Sequence, residues 1–341
     1  YEILFSDLNG DSIKEIIVAW KISETTTIKH MTIYGGQEEK GLTKDVLKPR
    51  ANELYSALTV LDIDGDGRNE VLFTHFDTTT ERSRAFARVL KMNDKGEIKP
   101  AGEAPLNPKI SSYTGFKTEY VGELPRVYID AYASGVQMLT EMLYWDKETG
   151  KLVSPFYTSD PAANPVTLRN VIVESSDINQ DRNIEIPLTS VLPGSSIIGS
   201  DESKSTALYI VNWSHYENGK FRTVKRTYYN TNDMFSIVYP DEWKNQVTIQ
   251  QHLTNRLTTF TYYAPGTKRN GLELFSIKAF PVMSFHTDLL GDYEQFLSNK
   301  NFTYAYRITE EGRKFGITED FITSEFNAVK TQSQSSMNIK F

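Results

Sequence analysis

The sequence predicts a mainly β protein: a β-propeller of four-stranded blades, four of them visible, over residues 1–229, followed by a small α+β domain over 230–341. Three observations point there. Nine-residue acidic stretches recur as DLNGDSIKE (Asp7 to Glu15), DIDGDGRNE (Asp62 to Glu70) and DINQDRNIE (Asp177 to Glu185). Their spacing is 55 residues and then 115, close to one and two periods, so a fourth unit belongs near residue 120. Finally, the segments between the loops read as short alternating strands punctuated by Gly turns, the pattern of tandem four-stranded units that cannot each bury both faces alone.

The second unit shows the element order most clearly. SALTVLDI precedes the loop, NEVLFTHF follows it, FARVLKMN comes next, and EIKPAG lies beyond the NDKG turn. In EVLFTHF, Val71, Phe73 and His75 share one face while Leu72, Thr74 and Phe76 share the other. Both faces are largely apolar, as in a sheet covered on both sides. Near residue 120, TEYVGELPRVYIDAY reads as two strands joined at Gly122 to Pro125, a degenerate copy that has lost its acidic loop. Since only four units are countable, either more blades lie upstream or the array is smaller or open.

After Asn230 the period stops. FSIVYPDEW, LTTFTYYAP and GLELFSIKAF read as strands. DLLGDYEQFLSN, with Leu289, Tyr293, Phe296 and Leu297 near helical spacing, reads as an amphipathic helix. EDFITSEFNAVKTQ reads as a second one.

Each acidic stretch has oxygen-bearing side chains at positions 1, 3, 5 and 9, and the position-9 Glu opens an apolar strand: EIIVAW, EVLF, EIPL. An EF-hand instead places its Glu at position 12 and continues into a helix, and position 12 here is Val18, Phe73 and Leu188. Calcium takes six to eight hard oxygen ligands in flexible geometry, which alternate side chains of a tight loop can supply. The candidate ligands are Asp7, Asn9, Asp11, the Ile13 carbonyl and Glu15; Asp62, Asp64, Asp66, the Arg68 carbonyl and Glu70; and Asp177, Asn179, Asp181, the Asn183 carbonyl and Glu185. Gly65 and Gly67 suit the tight turn and mark the second loop as the strongest. Ser12 replaces one glycine in the first loop. Gln180 and Arg182 replace both in the third, where the guanidinium could offset the loop charge without a metal. All three ions, Ca2+ in each case, would be structural.

Composition narrows the partners. A net charge of -7, from 44 acids against 37 bases, argues against nucleic acid or an anionic membrane. The chain has no cysteine, which excludes disulfides, thiol catalysis and Cys-ligated metals. No apolar run reaches the length of a membrane helix. The five histidines, His30, His75, His215, His252 and His286, lack HExxH spacing, and neither a GxSxG elbow nor a phosphate loop occurs. No catalytic residue is assigned, although paired carboxylates for glycoside chemistry meet only in space and stay open.

The three loops, each between apolar strands, resemble FG-GAP or VCBS-type repeats of integrin-α-like β-propellers over residues 1–229, and FSIVYPDEW resembles the opening of PsbP-like domains. These resemblances imply an exported, non-enzymatic protein at a bacterial cell surface. It would act as a binding, adhesion or interaction scaffold for a protein or carbohydrate ligand, and an upstream signal or lipoprotein anchor would be its only link to the membrane. The alternatives are a polysaccharide-binding or polysaccharide-active enzyme built on the propeller, or a structural spacer.

Overall fold

A computed structural model describes residues 2–21, 29–35, 49–77, 84–134, 137–160, 162–199 and 207–329. Two compact units divide the chain, one over Tyr1–Pro187 and one from Leu188 onward.

The first unit is built of three antiparallel four-stranded meanders. The first contains β1 (Glu2–Ser6), β2 (Glu15–Trp20), β3 (Lys29–Tyr34) and β4 (Pro49–Tyr55). The second contains β5 (Ala57–Leu61), β6 (Glu70–Asp77), β7 (Arg84–Met92) and β8 (Ile98–Leu106). The third contains β9 (Ser112–Val121), β10 (Leu124–Ser134), β11 (Gln137–Asp146) and β12 (Lys151–Val153). Alternation in β6 explains their packing. Val71 and Phe73 join Ile17, Met31 and Ile33 of the first sheet in one core, while Leu72 joins Val127, Ile129 and Leu139 of the third in another. The middle sheet is thus apolar on both faces because it is covered on both.

The turn at Gly122, where the acidic loop is missing, is a tight connection with Val121 opposite Leu124. The segment after β12 has little regular structure of its own and is fastened by a buried ion pair. Arg169 donates to Asp130 Oδ1 at 3.0 Å, to Thr140 Oγ1 at 3.0 Å and to the Val173 carbonyl at 2.7 Å. Asp130 Oδ2 accepts from Lys117 Nζ at 2.7 Å, the Ser175 amide at 2.9 Å and the Ser175 hydroxyl at 2.7 Å. Burial opposes the charge on Asp130, but Lys117 and Arg169 outweigh it and hold the carboxyl below its ordinary range.

The second unit follows with β13 (Ile186–Val191), β14 (Ser196–Ile198), β15 (Tyr209–Glu217), β16 (Lys220–Asn230), β17 (Phe235–Val238), β18 (Val247–His252), β19 (Leu257–Tyr262), β20 (Glu273–Pro281), β21 (Glu294–Ser298), β22 (Phe302–Ile308), α1 (Glu310–Phe315), α2 (Glu319–Glu325) and β23 (Phe326–Ala328). They form a five-stranded sheet in the order β13-β15-β16-β17-β23 and a six-stranded sheet in the order β14-β18-β19-β20-β22-β21. One aromatic-rich core lies between them, with Trp213 outside it and Tyr228, Trp243, Phe260, Phe275 and Tyr304 within it.

This architecture corrects the propeller expectation. The protein is mainly β, but its described strands form five open sheets and none closes or curls. The strand that follows the third loop enters a sheet completed by β17 and β23, from the far end of the sequence, so no fourth blade is made. The integrin-α-like FG-GAP/VCBS resemblance falls with the propeller. So do the adhesion or interaction scaffold and the polysaccharide enzyme that were built on it. The PsbP-like opening falls too, because FSIVYPDEW is interior to that five-stranded sheet and its core and opens no separate fold. The helix expected over 288–299 is a 3-10 turn at Thr287–Leu289 followed by a strand, Glu294–Ser298: β21 pairs with β22, and the spacing of Tyr293, Phe296 and Leu297 was that of a short apolar run, which periodicity alone cannot assign. The second expected helix stops at Glu325, and its last residues, from 330, lie outside the described residues.

Two expectations follow. Arg169→Met removes the buried cation from Asp130 Oδ1, leaving only Lys117, and should cost about 3–5 kcal/mol in chemical denaturation. Glu141, fully buried on β11, accepts the Asn107 amide at 2.8 Å and the Ser154 hydroxyl at 3.2 Å, and burial pushes its carboxyl up to about 7. A carboxyl raised on folding favours the native state at low pH, and that advantage is lost as pH rises toward 7. The stability of wild type relative to Glu141→Gln should therefore fall by about 2–3 kcal/mol between pH 5 and pH 8. A flat difference would show that Glu141 does not titrate there.

Candidate metal centre

The three acidic loops fold alike. Each joins two antiparallel strands or bridge residues, and each is closed by a pair formed with the position-9 Glu: Ser6 opposite Glu15, Leu61 opposite Glu70, Ser176 opposite Glu185. All three glutamates are buried. Each turns Oε2 back on the position-2 amide, from Leu8 at 2.9 Å, Ile63 at 3.1 Å and Ile178 at 3.0 Å.

Inside each loop the other acids organise the backbone. The position-1 carboxylate accepts the position-6 amide: Asp7 from Ser12 at 2.8 Å, Asp62 from Gly67 at 2.8 Å, Asp177 from Arg182 at 2.9 Å. Position 3 accepts from position 5, with Asn9 at 3.0 Å, Asp64 at 3.2 Å and Asn179 at 3.2 Å. Position 5 accepts the amide of position 7: Asp11 from Ile13 at 2.8 Å, Asp66 from Arg68 at 2.9 Å, Asp181 from Asn183 at 2.9 Å. Short polar side chains that bond to amides two residues on favour this turn before any ion is considered. The winding demands positive φ at positions 4 and 6, where Gly10, Gly65 and Gly67 sit beside the non-glycines Ser12, Gln180 and Arg182. Each of these three side chains raises the energy of its loop by about 1–2 kcal/mol.

What differs is how the carboxylate oxygens cluster. In the second loop one oxygen from each of Asp62, Asp64 and Glu70 lies within 4.8 Å of the other two. Glu70 Oε1 is buried and accepts no hydrogen bond. Burial, then the Asp64 charge, pushes the Glu70 carboxyl up to about 7. A buried carboxylate oxygen with no donor, facing two more carboxylates, fits a divalent cation. In the first and third loops Asn replaces Asp at position 3, and its amide nitrogen reaches Asp11 Oδ2 at 2.9 Å and Asp181 Oδ2 at 2.9 Å. Those loops lose one carboxylate and satisfy another internally.

Sequence reasoning did not find Lys91. From β7 its Nζ reaches Asp64 Oδ2 at 2.6 Å, Asp66 Oδ2 at 2.5 Å and Glu70 Oε1 at 3.6 Å. Burial works against its charge, yet the contacts with Asp64 and Asp66 hold its pKa above the lysine range. Partial burial likewise opposes ionisation of Asp66, but the Lys91 contact holds that carboxyl below its ordinary range. The signal was present in the hairpin register: Val71 pairs with Leu90, and one further step puts Lys91 opposite Glu70.

No protein-family model matches the chain, and no curated protein matches it.

Gly67 isolates the backbone requirement, because a Cβ there would meet nothing within 4 Å while φ stays at 89°. Gly67→Ala should cost about 1–2 kcal/mol through the left-handed conformation alone. Equal melting of the variant and the wild type would show that the turn does not need that angle.

Proposed function

We propose that this chain is a calcium-binding β protein in which the ion is structural, held by Asp62, Asp64, Asp66 and Glu70, with the Arg68 carbonyl as a further donor. The observation that carries this reading is the buried Glu70 oxygen without a hydrogen bond, aimed at the carboxylates of the same loop. The donors are all hard oxygens from one flexible loop, which favours calcium over zinc, a borderline metal that prefers nitrogen and sulfur. Magnesium needs near-ideal octahedral geometry and keeps most of its water.

The role is structural because every ligand comes from one hairpin that runs directly into β6, a strand buried on both faces. The reading is accordingly non-enzymatic. The loops at 7–15 and 177–185, with Asn at position 3, take the ion more weakly. Binding in the range of extracellular modules, about 0.1–1 mM, fits an extracytoplasmic setting where calcium is abundant.

Calorimetric titration with calcium and with magnesium, together with melting curves in calcium and in chelator, tests this. An ion that binds only the native state should stabilise it by about 2.7 kcal/mol at a hundredfold excess over Kd, and Glu70→Gln should remove that gain. Melting that ignores both calcium and chelator would refute the proposal.

A further inference from the structure

The second loop has a cation of its own. Lys91 extends from β7, a strand paired on both sides, and its ammonium meets the outward oxygens of Asp64 and Asp66 and approaches Glu70 Oε1. The other oxygens of Asp64, Asp66 and Glu70 are taken by loop amides. The ammonium therefore stands on the oxygens that the loop leaves for an ion.

We propose that Lys91 is a tethered counter-cation that exchanges with the divalent ion at the 62–70 loop and so sets the affinity of that loop; this rests on the cation-binding reading above. Without metal, the ammonium offsets the crowded carboxylates and keeps the loop wound. When a divalent ion takes Asp64, Asp66 and Glu70, the like charge expels the ammonium. There is room for it: an open groove of about 570 Å³ lies beside Lys91, lined also by Asp66, Asn93, Asp94 and Glu97. Asp94, paired with Arg68 at 2.6 Å, and Glu97, bonded by Asn93 at 3.0 Å, keep that groove acidic and partly neutralised.

The first loop is built differently. In the first sheet Ile16 pairs with Tyr34 as Val71 pairs with Leu90, so the counterpart of Lys91 is Gly35, beside which the Arg50 guanidinium lies. The second loop has the fuller carboxylate set and also the built-in competitor. It consequently responds at a higher ion concentration than its ligands alone would set, and it ignores monovalent ions, which cannot outbid an ammonium already in place.

The test is calcium calorimetry on the wild type, Lys91→Met, Lys91→Gln, Lys91→Arg and Glu70→Gln, with melting in chelator alongside. The binding component that Glu70→Gln abolishes should tighten by about tenfold or more in Lys91→Met and Lys91→Gln, because a repelled charge has been removed. The same two variants should melt below wild type in chelator and recover in calcium, and Lys91→Arg should keep the wild-type affinity. Lys91→Gln serves if the Met variant does not fold. Unchanged or weaker binding in both neutral variants overturns the exchange while leaving the calcium site standing. Absence of any Glu70-dependent binding in wild type and variants alike removes the site and the exchange together.

Discussion

The carboxylate at position 9 is the constraint on which each acidic loop depends. It stands at the first residue of a strand or strand-like bridge, is buried, and reaches back over seven residues to a backbone amide. Burying an ionised carboxylate costs several kcal/mol unless partners are supplied. One amide serves only Oε2, and at Glu70 the other oxygen accepts no hydrogen bond. Asp62, Asp64 and Asp66 have no hydrogen to give it and instead wind the chain tightly. Their hydrogen bonds to successive amides fix where the remaining oxygens point. The register closed by Glu15, Glu70 and Glu185 then passes that geometry into the sheets, since a slip of one residue would turn a charge into the core.

The same winding sorts the three copies. Position 6 needs positive φ, which Gly67 adopts freely while Ser12 and Arg182 do so at a cost. Position 3 decides the electrostatics. Asp64 has a second oxygen and a full charge to give, whereas Asn9 and Asn179 turn an amide nitrogen onto the neighbouring Asp. The second loop combines the least backbone strain with the greatest charge crowding. That is why the unsatisfied Glu70 oxygen and the Lys91 ammonium occur together there.

Much of the local structure was legible in the sequence. The four strands of the second unit, the two-faced apolar character of β6 and the turn at Gly122 follow from alternation and turn chemistry, which act over a few residues. The acids of the loops were legible because their spacing alone makes them converge. Closure of the array was not, since it depends on which strands pair across long separations: β13 finds its sheet with β23, over a hundred residues away. Nor was the strand at Glu294–Ser298, where an apolar spacing suited to a helix is overruled by the free edge of β22. Lys91 was hidden for a related reason. It lies far from the loop in sequence and meets it only through hairpin register.

Charge balance links these local choices to the first unit as a whole. The third sheet has no acidic loop at Gly122, yet it buries Asp130, an acid as costly as Glu70. Its answer is Arg169 and Lys117, at 3.0 Å and 2.7 Å from the carboxylate, the first fully buried and the second 27% exposed. The second sheet answers with Lys91, a cation that touches the same kind of oxygen from a site open to a groove. In the first loop the uncharged Asn9 amide bonds the exposed Asp11 carboxylate instead. The Asp130–Arg169 pair is fully enclosed, and removing Asp130 would leave the Arg169 guanidinium uncompensated in a dry interior. Lys91 is 29% exposed at its side chain and has solvent and two further acids within the groove it borders. Of these cations, Lys91 is the one that stands on acidic-loop oxygens beside an open groove.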